Sequence, residues 1–304
     1  MTRHVTTIEE LGRAGLLEVC RLARDAGGVS LAGDGVALVF ERPSLRTRAS
    51  SAVAVTDLGG HPTFFTGDEI GIDSRESAED VARTIAAYFS IAALRVRDHG
   101  VFARMREATK DRLSVINLLS NEAHPTQAIA DLLTLADHFS AGDVAGLAGL
   151  EVAYVGDATN VARSLSVALR LVGACVRVAS PARYRLARGR AEDPDRVSTG
   201  SLVEGDDVVE GVRGADVVYT DAWVSMGAEA ETERRRRDLQ GYRVTPDVLD
   251  VAGPEAVFLH CLPAHRGDEV VDAVLDGPRS LIWQQAAHRR SAMRGALAWV
   301  RGGA

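Results

Sequence analysis

The chain has 304 residues and a formal net charge of -7, and is 46% hydrophobic and 25% charged. This is a globular composition with enough apolar material for two domains or one large α/β domain. The acidic balance weighs against nucleic acid as the main partner. The three scattered cysteines, Cys20, Cys175 and Cys261, fit neither a disulfide framework nor a zinc spacing, and no apolar run reaches the length of a membrane span. The N-terminal stretch MTRHVTTIEELGRAG lacks the apolar centre of a signal peptide, so a reducing cytoplasm is the expected setting.

Short apolar runs alternate with helical patterns. Val36–Val39 reads as a buried strand, Ser50–Leu58 as the helix after it and Thr63–Phe65 as a short strand. Glu76–Phe89 has helical periodicity, Ile91–Val96 and Leu113–Ile116 read as strands, and Pro125–Phe139 as a helix. The Gly- and Ala-rich stretch Ser140–Gly149 is the expected inter-domain connection. Beyond it, Glu151–Val155, Cys175–Ala179, Val217–Thr220 and Val257–Leu259 read as strands, with Val161–Val172 a helix between the first two. The β-α-β order on both sides predicts two parallel-sheet α/β domains. One spans 1–140 plus a C-terminal helix at about 287–304 that returns to it, and the other spans 149–286. The charge run ERRRRD, Glu233–Asp238, is expected to be a solvated face.

Phe40–Ser50, FERPSLRTRAS, crowds Arg42, Arg46 and Arg48 beside Ser44 and Thr47 just after a strand. Free N–H groups at a helix start bind anions, and hydroxyls and guanidinium forks add donors that match phosphate oxygens. The stretch therefore reads either as a phosphate cradle built without P-loop glycines or as a capped helix with surface arginines. HPTQ, His124–Gln127, opens a second helix after a strand, so His124 can donate to a carbonyl and Gln127 can hydrogen-bond an amide. Arg95 ends a strand, where α/β folds bind their ligands. No G-x-G-x-x-G follows any strand, and GDATNVARS at Gly156 lacks it, which disfavours a dehydrogenase.

SLRTR, the strand-end Arg95, HPTQ, DAWVSMG (Asp221–Gly227) and HCLPAHRGDE (His260–Glu269) together resemble the signatures of the aspartate/ornithine carbamoyltransferase family. LGGHP at Leu58, RES at Arg75 and GDATN at Gly156 extend the match over nearly the whole chain, and the DAWVSMG and HCLPAHRGDE segments point to the ornithine branch. The resemblance implies transfer of the carbamoyl group of carbamoyl phosphate to the side-chain amine of L-ornithine in arginine biosynthesis. It implies no cofactor, no metal and no covalent intermediate, a cleft between the domains and a homotrimer.

Carried over by position, Ser44, Arg46, Thr47 and the backbone around Leu45 would hold the phosphate, and Arg95 would bridge phosphate and carbonyl oxygen. His124 and Gln127 would orient the carbamoyl group, and Arg289 would reach its oxygen. Asn160, Asp221, Ser225 and the backbone of Met226 would take the α-amino and α-carboxylate groups. Cys261 and the carbonyl of Leu262 would lie beside the reacting amine, with Asp221 and Cys261 the candidates to influence its proton.

The sequence also departs from the family pattern. Leu45 stands where a Thr is usual, Val161 replaces a second Asn, and His288 replaces the Asn usually preceding Arg289. SLRTR is closer to branches acting on N-acylated ornithines. This keeps open an N-acyl-ornithine, another diamino acid or a polyamine as acceptor, or a weakly active binding paralogue.

Overall fold

A computed structural model of the chain describes residues 2–110, 112–186, 199–224 and 229–302. The elements in order are α1 (Ile8–Arg24), β1 (Gly35–Phe40), α2 (Leu45–Asp57), β2 (His61–Thr66), α3 (Gly67–Ile70), α4 (Ala78–Tyr88), β3 (Ile91–Arg95), α5 (Gly100–Thr109), β4 (Ser114–Leu119) and α6 (Pro125–Phe139). There follow β5 (Glu151–Val155), α7 (Asn160–Leu171), β6 (Cys175–Ala179), β7 (Leu202–Gly205), α8 (Val208–Val212), β8 (Val217–Thr220), α9 (Thr232–Leu239), α10 (Pro246–Ala252), β9 (Val257–His260), α11 (Asp272–Leu275) and α12 (Ile282–Arg301).

The chain divides into two compact units, Met1–Leu133 with Ala287–Ala304, and Thr134–Ala286. The division falls inside α6, so Ser140–Gly149, the expected connection, lies wholly in the second unit and carries a turn of 3-10 helix, Val144–Leu147.

In the first unit the parallel strands run in the order β2-β1-β3-β4. A parallel sheet needs helices on its faces, which is why β1 and β3 read as unbroken apolar runs. Ala37, Val39, Ala92 and Leu94 pack with Val81, Ile85, Phe102 and Met105 of α4 and α5. α1, α6 up to Leu133 and α12 from Ala287 onward also belong to this unit, and α12 lies close against α1: a Cβ on Gly295 would stand 2.4 Å from the Val19 carbonyl oxygen. Arg294 donates to the Ala23 carbonyl there, and Arg290 makes a paired contact of 2.6 Å with both oxygens of Asp57 on α2.

In the second unit the parallel strands run in the order β7-β6-β5-β8-β9. Ala153, Val155, Val218 and Phe258 pack with Val212, Leu249, Val274 and Ile282.

Both sheets reverse direction once. From β1 the chain moves to β2 and then crosses to β3; from β5 it moves to β6 and β7 and then crosses to β8. Open α/β sheets bind ligands at the carboxyl ends of the strands flanking that reversal. In the first unit this selects the loop after β1 and the end of β3. In the second it selects the loops after β5 and β8.

Candidate active site

Those four strand ends carry Ser44 to Thr47, Arg95, Asn160 and Asp221; His124 and Gln127 follow β4, Cys261 and Leu262 follow β9, and Arg289 lies on α12. After β1 the helix starts at Leu45, five residues before the Ser50 suggested by periodicity and where the FERPSLRTRAS stretch places a helix start, because Ser44 caps it: the Ser44 hydroxyl oxygen accepts from the Thr47 N–H at 3.4 Å. SLRTR is thus the cap and first turn of α2, with the positive end of the helix dipole at its N–H groups. Ser44 Oγ also donates to Thr47 Oγ1 at 3.0 Å. Arg46 is half-buried, and the Leu45 side chain is 80% exposed. Arg48 is drawn off: its guanidinium lies 4.2 Å over the Phe64 ring, which answers for one of the three arginines of this turn.

Arg95 is buried at the end of β3, where the register against β4 shifts between Leu94 and Arg95. Such an irregularity re-aims a side chain at a strand end. His124 immediately precedes Pro125, the first residue of α6, a position that proline favours, and is 3% exposed. Burial, and then the positive charges of Arg289 and Arg95, hold its imidazole well below the ordinary range. His124 is therefore neutral at physiological pH and keeps one N–H to donate.

Arg289 of α12 ties the group together. Its Nη1 donates to Gln127 Oε1 at 2.6 Å and its Nη2 to Thr47 Oγ1 at 3.1 Å. Gln127 Nε2 donates to Asp131 Oδ1 at 2.7 Å. The first unit therefore brings together Ser44, Thr47, Gln127 and Arg289 by direct hydrogen bonds. His124 lies close enough to Arg95 and Arg289 to feel both charges.

In the second unit Asn160 is the first residue of α7, half-buried, with Thr159 at the cap position. Asp221 follows β8 and Cys261 follows β9, adjacent strands of one sheet. Cys261 Sγ donates to Asp221 Oδ1 at 2.9 Å, and the same oxygen accepts from the Ala222 N–H at 2.8 Å. Leu262 adopts a left-handed backbone, φ 58°, and its peptide bond to Pro263 is cis. Ser225 and Met226 lie outside the described residues.

Sequence reasoning assigned no role to the buried polar residues that support these loops. His260 Nδ1 accepts from the Leu262 N–H at 2.8 Å, so the ring proton sits on Nε2, which donates to Glu269 Oε1 at 3.1 Å. Gln285 Oε1 accepts from the His260 N–H at 3.0 Å. Asp221, His260 and Cys261 bring atoms of metal-ligand type within 4.8 Å of one another, but both ring nitrogens of His260 are committed to these bonds.

The ERRRRD run departs from expectation. It forms most of α9, and Arg235, only 16% exposed on its side chain, turns inward rather than facing solvent. Its Nη1 donates to the Asp157 carboxylate and, at 3.2 Å, to the Trp223 carbonyl, while its guanidinium lies 5.3 Å from the Tyr184 ring centroid. A buried carboxylate on the loop after β5 requires a counter-charge, and Arg235 supplies it. Gly156 opens that loop at φ 111°, where a Cβ would stand 3.2 Å from Trp223 Nε1.

The sequence matches the carbamoyl-phosphate-binding domain of the aspartate/ornithine carbamoyltransferases over residues 3–137 and their aspartate/ornithine-binding domain over residues 148–300. The chain belongs to the aspartate/ornithine carbamoyltransferase family. It is 43% identical over 262 residues to the ornithine carbamoyltransferase of Thermus thermophilus, covering 86% of this chain and 83% of the relative. It is 41% identical over 277 residues to the anabolic ornithine carbamoyltransferase of Pyrococcus furiosus, covering 90% and 85%. Among solved structures, ornithine carbamoyltransferase from Pyrococcus furiosus superposes with a TM-score of 0.87 at 34% identity, covering 100% of this chain and 98% of that one. The Thermus thermophilus enzyme superposes with a TM-score of 0.86 at 37% identity, covering 99% of each.

Proposed function

We propose that this family member transfers the carbamoyl group of carbamoyl phosphate to the side-chain amine of L-ornithine, giving L-citrulline and phosphate. The observation that carries the reading is the hydrogen-bonded set Ser44–Thr47–Arg289–Gln127 beside neutral, buried His124. The Cys261–Asp221 contact at two adjacent strand ends supports the choice of acceptor, because a thiol and a carboxylate suit a cationic amine.

In this reading the N–H groups at the start of α2, the hydroxyls of Ser44 and Thr47, and Arg46 hold the phosphate. Arg95 bridges phosphate and carbonyl oxygen. Attack of the neutral amine on the carbonyl carbon places negative charge on that oxygen. Arg95, His124, Thr47 and Arg289 are donors fixed in advance for that charge, which is where electrostatic catalysis is most effective. A neutral His124 serves as a donor without adding a third cation to the two guanidiniums. Phosphate leaves with its growing charge already neutralised. Asn160, Ser225 and Met226 take the α-amino and α-carboxylate groups. Asp221 and Cys261, with the carbonyl of Leu262 beside them, receive an amine that is protonated in water near neutral pH, and they are the candidates to take the proton it must lose before attack.

No helix is long and apolar enough to cross a membrane among the described residues. The reading extends to a cytoplasmic homotrimer in arginine biosynthesis, the assembly checked by sedimentation equilibrium. The test of the chemistry is citrulline formation across a panel of amines with carbamoyl phosphate held fixed. Ornithine should exceed N-acetyl-ornithine, other diamino acids and putrescine in kcat/KM, and a phosphonoacetyl-ornithine conjugate should bind more tightly than either substrate alone. A preference for any other amine overturns the acceptor and leaves carbamoyl transfer standing.

A further inference from the structure

Asp131 lies one helical turn beyond Gln127 on α6 and is wholly buried. It is no part of the set assigned above, yet together with Arg289 it fixes which way the Gln127 amide faces. A primary amide has a donor end and an acceptor end of nearly the same shape, and its neighbours determine which end points where. Gln127 Nε2 donates to Asp131 Oδ1 at 2.7 Å, and Gln127 Oε1 accepts from Arg289 Nη1 at 2.6 Å. Turned over, the amide would set its oxygen against a carboxylate oxygen and its NH2 against a guanidinium that can only donate. Both contacts would fail, in a site where Gln127 is 1% and Arg289 5% exposed.

We propose that Asp131 is a specificity-determining positioning residue. It holds the Gln127 carbonyl oxygen toward Arg289 and Thr47, so that the site offers an acceptor to a ligand bearing an N–H group. The inference rests on the carbamoyl phosphate reading of this site. An amide oxygen has two lone pairs, and Arg289 occupies one. The second is available to the NH2 of a carbamoyl group. Acetyl phosphate has the same phosphate and carbonyl but a methyl group in that place, and would leave the oxygen unsatisfied. Sites built to hydrogen-bond a substrate N–H reject analogues lacking it far more strongly than apolar pockets reject a change of one methylene.

The test uses the full chain and three probes: carbamoyl phosphate, acetyl phosphate and inorganic phosphate, with binding measured by calorimetry. The wild type should prefer carbamoyl phosphate over acetyl phosphate by at least about a hundredfold. Asp131→Asn presents either a donor or an acceptor to Gln127 and so leaves Arg289 alone to oppose a turned amide. It should weaken carbamoyl phosphate by about tenfold or more, leave inorganic phosphate within about twofold, and leave acetyl phosphate unchanged, so that the preference collapses. Parallel weakening of all three ligands would make Asp131 a structural residue only and overturn the proposal, as would an unchanged preference. Should Asp131→Asn fail to fold, the wild-type comparison still decides, since a preference below about tenfold refutes an acceptor aimed at the NH2 group. A wild type that shows the preference but makes no citrulline from ornithine contradicts the acceptor assignment and leaves this inference intact.

Discussion

Arg235 donates to the carboxylate of Asp157, yet Asp157 is pushed up from its ordinary 3.8 to about 6. Burial is the largest cause and outweighs the attraction of Arg235, while Asp221 and Glu231 push in the same direction as burial. The native state therefore binds a proton between about pH 4 and pH 6 that the unfolded chain has released, and stability falls as the pH rises through that window. The gap between 3.8 and about 6 corresponds to ~3 kcal/mol at most. Asp157→Asn removes the titration. The difference in unfolding free energy between wild type and Asp157→Asn, measured in urea, should change across that window and be level above it. A difference that stays constant would place the Asp157 pKa at its ordinary value.

The same pair makes a second variant informative. Arg235→Met leaves the Asp157 carboxylate buried without its cation, and breaking a buried pair from one side commonly costs about 3–5 kcal/mol. The carboxylate can escape part of that cost by taking a proton. The loss in melting temperature should accordingly be larger near pH 8 than near pH 5, and adding Asp157→Asn should recover much of it at the higher pH. Because Arg235 also holds the Trp223 carbonyl, next to the loop carrying Asp221, KM for ornithine should rise while inorganic phosphate binding is unaffected.

How much of this could be read beforehand follows from how local each signal is. Pro125–Phe139, Glu151–Val155 and Cys175–Ala179 coincide with their expected limits, because apolar runs bounded by Pro or Gly report directly on buried strands and capped helices. Apolar periodicity alone puts the start of α2 at Ser50, because Arg46, Thr47 and Arg48 break it, whereas the helix start expected near Ser44 from the FERPSLRTRAS stretch is the true one, set by the Ser44 cap. α1 escapes the pattern: Gly12, at φ 60°, interrupts it, although Thr7 and Glu10 mark its beginning. The Ser44–Thr47 turn proposed to hold phosphate is legible as a group because its members are neighbours in sequence. The Arg235–Asp157 contact spans 78 positions, and no periodicity in a charge run says which of four arginines will turn inward.

Gly295 tests the docking of α12, and with it the position of Arg289. A Cβ there would stand 2.4 Å from the Val19 carbonyl oxygen and 2.8 Å from the Ala23 nitrogen, both backbone atoms of α1 that cannot swing aside. Overpacking of this kind costs about 1–3 kcal/mol. Gly295→Ala, ordinarily a helix-stabilising change, should instead lower the melting temperature and weaken carbamoyl phosphate by displacing Arg289. A rise in melting temperature would mean that the two helices are less closely packed than described.

Arg289→Lys separates charge from geometry. A lysine keeps the positive charge but gathers its three N–H donors on one nitrogen, whereas the guanidinium spans Gln127 Oε1 and Thr47 Oγ1 from two separate nitrogens. If the charge alone matters, turnover should survive. The bidentate arrangement predicts instead a fall in kcat of roughly a hundredfold, the usual loss for one oxyanion donor, with ornithine KM little changed. Stopped-assay kinetics at saturating carbamoyl phosphate distinguishes the two.

Leu45 is the departure from the family pattern nearest the phosphate cradle, and its position decides what restoring a hydroxyl should do. It is the first residue of α2, directly after the cap Ser44, and its side chain is 80% exposed. An exposed leucine neither packs against the cradle nor walls off a pocket, so replacing it removes no contact that the site needs. Leu45→Thr adds a hydroxyl at the positive end of the helix, beside the N–H groups that the proposed reading assigns to the phosphate. In a dry site a hydrogen bond to a charged group is worth about 1.5–3 kcal/mol, but water already serves this exposed position. The gain should be the lower part of that range, so carbamoyl phosphate KM should fall by up to about tenfold. Ornithine KM and the ranking of acceptors should stay as they are, because Leu45 belongs to the N-terminal unit and the residues assigned to the amine belong to the other. Measuring both substrates' KM for the variant checks this. A change confined to the acceptor would mean that Leu45 shapes the amine site, and would favour an N-acylated ornithine as the substrate.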